Sequence, residues 1–312
     1  MTPTHGIVLM TFGSAQTAGD VPAYLRSVRR GGEPDAELVA EFQRRYRLVG
    51  WSPLVHITEE QAAGVERLLA ERHGAAAYLV RAGMLHSDPT IDSAVQDLAG
   101  AGAEDYLGIV LAPQYSPVIM GGYDRALAAA VACHAAGARW VVAGPWHQVP
   151  AFIDDLSDRL GAALESLPDR DRTEVLFTTH SLPKAVLDRD PPYMDQIRRT
   201  IALAVERAGL QQGQWQFAYQ SAGHTPEPWL TPDLKDLLPS IRDRGRNAIL
   251  VVPVQFLADH LEILYDLDVA AREEAEEAGL AYHRVELPNI RPRFLAALAD
   301  VVDREQALSG SR

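Results

Sequence analysis

One cysteine, Cys133, stands in a chain of 312 residues. A lone thiol closes no intramolecular disulfide, and an all-cysteine metal or iron–sulfur site within the chain is excluded. Its apolar, helical neighbourhood predicts a small buried residue. No apolar run reaches transmembrane length, and the first residues lack the basic region and long apolar core of a signal peptide. Basic side chains are outnumbered by acidic ones, 29 to 42, for a formal charge of −13. Such a surface generally repels nucleic acid and anionic lipid, while a local basic patch still suits an anion. Familiar catalytic signatures are missing too. The first strand runs into Thr11-Phe12-Gly13-Ser14 without the three glycines of a dinucleotide fingerprint. There is no Walker sequence, no His-Glu-x-x-His and no nucleophile elbow. Dehydrogenase and common hydrolase readings lose support, and a cytoplasmic enzyme of another kind is expected.

What is present is a regular alternation. Short apolar runs, Gly6–Met10, Ala76–Val80, Leu107–Leu111, Trp140–Ala143, Val175–Thr179, Gln216–Tyr219, Ala248–Val252 and Tyr282–Val285, read as strands. Longer helical stretches separate them, among them Tyr123–Ala135, Pro192–Ala208 and Leu261–Glu276, which predicts a parallel α/β architecture. The halves also echo each other. Ile7 to Gly13 resembles Val175 to Ser181, Tyr78 to Gly83 resembles Phe217 to Gly223, and Ile109 to Tyr115 resembles Leu250 to Phe256. Two similar lobes are expected, with a boundary near Ala143–Pro150 and a cleft between them.

The organising stretch is Glu174-Val175-Leu176-Phe177-Thr178-Thr179-His180-Ser181-Leu182-Pro183. It reads as a buried strand that delivers one imidazole at its C-terminal edge, where ligands of open α/β sheets bind. Three other segments break the generic pattern. Pro113 to Tyr123, with prolines and paired glycines, predicts an irregular apolar loop, either a pocket wall for a large flat ligand or an ordinary packed loop. Ser221 to Leu230 is similarly irregular, and Trp229 is either a ligand wall or a buried anchor. Asp259 to Asp268 is the densest ionisable cluster. On an α-helix Glu262 and Asp266 share a face, so they suit a divalent cation or protons, unless the acids are surface groups and Asp259 a helix cap.

Several of these segments resemble the ferrochelatase family, in particular its soluble, coproporphyrin-using type from Gram-positive bacteria. The resemblance is carried by Thr179-His180-Ser181-Leu182-Pro183, by Gln220-Ser221 through Thr225-Pro226-Glu227-Pro228-Trp229-Leu230, and by Pro253 through Asp266. Arg29-Arg30-Gly31, Ser52-Pro53-Leu54 through Ile57-Thr58, and Pro288-Asn289 fit as well, so nearly the whole chain is covered. The resemblance implies a chelatase fold of two Rossmann-like lobes with a porphyrin cleft. It divides the chain into an N-terminal lobe (1–146), a C-terminal lobe (147–286) and a C-terminal helix (287–312) that returns towards the first lobe.

It further implies insertion of ferrous iron into coproporphyrin III, giving coproheme and two protons. Protoporphyrin IX is the alternative substrate, and a non-catalytic heme- or porphyrin-binding protein is the alternative of another class. His180 and Glu262 would be catalytic and meet the metal, with Asp266 continuing the acidic ridge. Arg29, Arg30, Arg45, Ser52 and Tyr123 would grip porphyrin carboxylates. Phe12 stands where relatives often place a tyrosine that contacts the metal, and it has no oxygen to offer. His86 matches a histidine that some relatives keep near the pocket. Ala270 interrupts the ridge where relatives often place an acid, and Gly50-Trp51 replaces the paired glycines usual before Ser52. No prosthetic group is implied, since iron and porphyrin are substrates. A monomer without membrane insertion or nucleic-acid partner is expected, with a downstream coproheme decarboxylase as a possible partner.

Overall fold

The computed structural model describes residues 4–29, 31–223 and 226–309. Arg30 lies outside the described residues, as do His224 and Thr225 of the Ser221–Leu230 segment. The N-terminal lobe runs β1 (His5–Thr11), α1 (Val21–Val28), α2 (Ala36–Leu48), α3 (Leu54–His73), β2 (Tyr78–Met84), α4 (Ile91–Gly100), β3 (Asp105–Val110), α5 (Pro117–His134) and β4 (Arg139–Val142). Then α6 (Pro150–Ser166) leads into the C-terminal lobe. This comprises β5 (Thr173–His180), α7 (Lys184–Arg189), α8 (Pro192–Ala208), β6 (Trp215–Gln220), α9 (Leu234–Asp243) and β7 (Ala248–Pro253). A π-helix over Glu262–Ala271 continues as α10 (Arg272–Glu277), followed by β8 (Ala281–Arg284) and α11 (Pro292–Ser309).

Both sheets are parallel and share one topology, β2-β1-β3-β4 and β6-β5-β7-β8. Each chain path leaves its central strand to one side and returns on the other. The resulting switch point opens a crevice at the strands' C-terminal ends. Strands β1 and β5 are almost wholly buried, because helices cover both faces of a parallel sheet.

Packing ties the lobes together. Phe152 and Ile153 of α6 pack with Ile7 and Leu9 of β1, while Leu156 and Leu160 of the same helix pack with Val175 and Phe177 of β5. Phe294, Leu298 and Val301 of α11 lie in the first of these cores, beside Val65 and Leu69 of α3.

Eight strands match the eight expected runs, with β2 displaced towards its C-terminus. Three local expectations differ. The 113–123 segment is helical from Pro117, since proline at the first helical position sacrifices no hydrogen bond. Cys133 is exposed: the inward face of α5 is Met120, Tyr123, Leu127, Ala130 and Val131, and Cys133 falls off that stripe. The segment after Leu261 is wound wide, as a π-helix, where an α-helix was expected. Such windings concentrate at functional sites.

Candidate active site

A cavity of about 700 Å³ opens at the C-terminal edges of both sheets. Its walls are the strand exits: Thr11 to Ser14 at the end of β1, Leu111 and Ala112 after β3, His180 and Leu182 at the end of β5, Ser221 to Gly223 after β6, and Gln255 to Ala258 after β7. From the N-terminal lobe come Tyr24, Phe42, Arg45, Tyr46, Gln61 and Tyr123. The π-helix contributes Glu262, Tyr265, Asp266 and Ala270, so the wide winding keeps both expected acids on the cavity side.

His180 is the last residue of β5, and its neighbours fix its position. The backbone N–H of His180 donates to Gln255 Oε1 at 3.2 Å, and its ring Nδ1 donates to the Ser181 carbonyl. That bond assigns the ring proton to Nδ1 and leaves the Nε2 lone pair towards the cavity. Nε2 lies 3.8 Å from Glu262 Oε2, and the same oxygen lies 3.7 Å from Nε2 of a second histidine, His260. His260 donates its Nδ1 proton to the Ala258 carbonyl at 2.8 Å. Burial pushes the Glu262 carboxyl up, but His260 and His180 outweigh it and hold it at about 2. Burial lowers His260, but Glu262, the Ala258 carbonyl and Asp259 outweigh it and raise His260 above its ordinary value. The pair therefore favours carboxylate and imidazolium. Burial and the neighbouring Glu262 raise Asp266, against the opposing pull of Arg45 and His180. One carboxyl of the ridge thus ionises easily and the next reluctantly. Among the described residues, no group of three or more His, Cys, Asp or Glu side chains is arranged to hold a metal ion.

The opposite wall is aromatic. Phe12, 44 % exposed, ends in the cavity with its ring edge-on to His86 at 4.4 Å. His86 itself sits behind Phe12, bonded to Ser27 Oγ at 3.0 Å, and burial lowers its basicity. Gly13 adopts φ 93°, and a Cβ there would come within 2.6 Å of Ser87 Oγ, so the turn after Phe12 requires glycine. Burial raises the hydroxyl pKa of Tyr24, Tyr46 and Tyr123, which stay neutral donors at the wall.

Arg45 lines the cavity with its guanidinium 4.8 Å over the Tyr265 ring and its Nε donating to Glu41 at 2.7 Å. Arg44 binds the same carboxylate and donates to Tyr265 Oη at 3.0 Å, so α2 touches the π-helix across the cleft. Ser52 is buried, and its hydroxyl accepts the Leu54 N–H at 3.4 Å at the start of α3; it lies beside the cavity wall. Arg29 is exposed at the end of α1, away from the wall formed by its neighbour Tyr24. Trp51 adopts φ 72° and stacks on Tyr46 at 5.6 Å, supporting a tyrosine whose hydroxyl meets Ser14 Oγ at 2.9 Å. Asp259 caps no helix. It accepts from Asn289 Nδ2 at 2.8 Å, and its N–H donates to Asn289 Oδ1 at 2.9 Å.

The structure thus brings His180, Glu262, Asp266, Phe12, Arg45 and Tyr123 to one cavity and leaves Ser52, Arg29 and His86 around it. His260, Tyr24, Phe42, Tyr46 and Gln61 had no role assigned from sequence. His260 stands two residues before Glu262 in the ionisable cluster, and that position is the signal by which it could have been found.

Comparison with known proteins identifies a family. A sequence model described as Ferrochelatase matches residues 4–306. A ferrochelatase from Deinococcus radiodurans is 35% identical over 306 residues, covering 97% of this chain and 96% of the relative. A coproporphyrin III ferrochelatase from Geobacillus kaustophilus is 35% identical over 313 residues, covering 99% and 98%. That of Bacillus subtilis is 34% identical over 301 residues, covering 95% and 96%. Among solved structures, SirB from Bacillus subtilis with Fe3+ superposes with a TM-score of 0.60 at 12% identity, covering 99% of this chain and 98% of that one; this likeness supports the fold alone. With the family model spanning nearly the whole chain and relatives above 30% identity over nearly their full length, the chain belongs to the ferrochelatase family.

Proposed function

We propose that this protein inserts ferrous iron into coproporphyrin III, releasing two protons and forming coproheme. The observation that carries the reading is the shared Glu262 oxygen between two imidazoles, His180 and His260, facing an aromatic cleft of about 700 Å³. The names of the curated relatives supply the substrate: seven of those most similar act, by name, on coproporphyrin III.

A free porphyrin carries two pyrrole N–H groups, and both protons leave as a 2+ ion takes their place. The lone pair of His180 Nε2 accepts a pyrrole proton, and Glu262 favours the resulting imidazolium and the incoming cation. Glu262, held at about 2, stays a carboxylate, so His180 hands its proton on towards Asp266 and solvent and, neutral again, accepts the second pyrrole proton. Asp266, less ready to ionise, continues the path outward as a proton acceptor or a weak contact for the ion. The aromatic wall of Phe12, Tyr24, Tyr46 and Tyr123 presses the macrocycle's faces; a plane forced out of flatness turns its nitrogen lone pairs towards the metal. Arg45 and Tyr123 hold substrate carboxylates, with Arg29 and Ser52 at the periphery. Phe12 itself offers no oxygen to the metal.

The test is anaerobic Fe(II) insertion by the purified protein, with coproporphyrin III and protoporphyrin IX side by side. Faster turnover of coproporphyrin is expected, seen as loss of the four-band free-base spectrum. Faster turnover of protoporphyrin would overturn the substrate, and a static spectral shift without turnover would leave a binding protein.

A further inference from the structure

The segment that carries His260 and Glu262 is held from behind by residues that never reach the cavity. Arg284, at the end of β8, forks onto Asp268 of the π-helix, with Nε to Oδ1 and Nη2 to Oδ2 both at 2.7 Å. The same Nη2 reaches Asp259 Oδ1 at 3.5 Å, ahead of His260. One guanidinium therefore ties both sides of the stretch from Asp259 to Asp268. Its side chain is 12% exposed and that of Asp268 25%, so the pair is shielded from water and geometrically specific.

Asn289 completes the hold. Its amide makes the two bonds to Asp259 described above, its own N–H donates to the Leu257 carbonyl at 3.1 Å, and its carbonyl accepts from Gln61 Nε2 at 2.7 Å. Gln61 belongs to α3 and lines the cavity from the other lobe. Asn289 adopts φ 44°, a left-handed conformation that asparagine tolerates and most residues do not. Three of these bonds converge on Leu257–Asp259, immediately before His260, and the fourth ties the same turn to α3.

A ten-residue π-helix needs such external support, because its hydrogen-bond pattern is intrinsically rare. Loss of the Arg284 fork frees Asp268, and loss of the Asn289 amide leaves the Asp259 side chain only its 3.5 Å contact with Arg284. Either loss lets Glu262 drift from the imidazoles it now faces at under 4 Å.

We propose that Arg284 and Asn289 are positioning residues for metal insertion, holding Asp259–Asp268 in the register that places Glu262 between His180 and His260. The proposal rests on the iron-insertion reading given above. Three variants test it: Arg284→Met, which keeps the aliphatic stem; Arg284→Lys, which keeps the charge; and Asn289→Gly, which suits the left-handed backbone and removes only the amide. Expected are kcat values ~10–100-fold below wild type for Arg284→Met and Asn289→Gly. Arg284→Lys should partly rescue, and coproporphyrin affinity from fluorescence quenching should stay unchanged in all three. Amide hydrogen exchange across residues 257–268 should quicken in each variant. Should Arg284→Met fail to fold, the other two decide. Unchanged kcat and exchange, or equal losses of kcat and affinity, would overturn the positioning role. A wild-type protein that inserts no iron would overturn the functional reading instead, and the exchange measurement would still judge the hold on this segment.

Discussion

The two lobes are built on one plan and carry different side chains at its equivalent points. Strands β1 and β5 are the second strands of identically ordered sheets, and both exit into the cavity. In the motif echo, Thr11-Phe12-Gly13 corresponds to Thr179-His180-Ser181, so Phe12 and His180 are equivalent positions. One lobe presents a hydrocarbon ring there and the other a lone pair. The exits of β3 and β7 diverge in the same sense: Pro117 starts α5, which brings Tyr123, while the β7 exit runs to His260 and the π-helix acids. The scaffold sets where a group stands, and the side chain sets what chemistry that place offers.

The sharpest break of this comparison is His180→Ala. Iron insertion should fall ~10²–10⁴-fold, the range of lost general acid–base catalysis, with coproporphyrin binding nearly unchanged. Fluorescence titration beside anaerobic turnover checks both halves, and wild-type turnover in the variant would sink the role. Glu262→Gln, which keeps the shape and removes the charge, should lower turnover by ~10²-fold, again without a matching loss of affinity. The N-terminal lobe should respond the other way round. Arg45→Ala should raise the KM for coproporphyrin about tenfold, the scale of one lost bond to a charged group, while kcat moves little. A kcat effect as large as that of Glu262→Gln would erase the distinction between the lobes.

Smaller effects concern support. Trp51 at φ 72° carries left-handed strain of ~1–2 kcal/mol, and its stacking on Tyr46 offsets ~0.5–1.5 kcal/mol beyond burial. Trp51→Ala keeps the strain and loses the ring, so its Tm should fall further than that of Trp51→Gly; the reverse order would refute the account. The smallest effect is a pH dependence at Glu41. Arg44 and Arg45 hold this carboxyl at about 2, below its ordinary 4.5. A depressed pKa means that its stabilising contribution is complete above about 4.5 and is lost as pH falls towards about 2. Glu41→Gln should therefore lower Tm at pH 6 and leave it nearly unchanged at pH 2, with a modest difference because the side chain is 34% exposed.

Much of this was legible in one dimension. Alternating short apolar runs and helical stretches reported the sheets, because a strand buried on both faces must be apolar throughout. The β5 segment reported His180, because a polar residue at the end of such a run stands at a sheet edge. Other parts were not legible. The start of α5 was hidden by Pro117 and the paired glycines, since local propensity marks them as breakers, whereas packing accepts them: a Cβ on Gly122 would already sit 3.3 Å from Leu85. Cys133 was misplaced because its neighbours' hydrophobicity says nothing of which face of α5 turns inward.

By itself, the sequence determined the parallel α/β class and the repeated lobes and marked His180 and Glu262 as candidates, since these rest on short-range patterns and contiguous motifs. Only the tertiary structure decided that His260 shares the Glu262 oxygen, that the helix beyond Leu261 is wound wide, and that Arg284 and Asn289 hold it. The bond between Asn289 and Asp259 joins residues 30 positions apart, and the meeting of His180 with Glu262 joins residues 82 positions apart in two different elements. No local pattern encodes such a meeting, because it arises from where two sheets and their connecting turns come to rest.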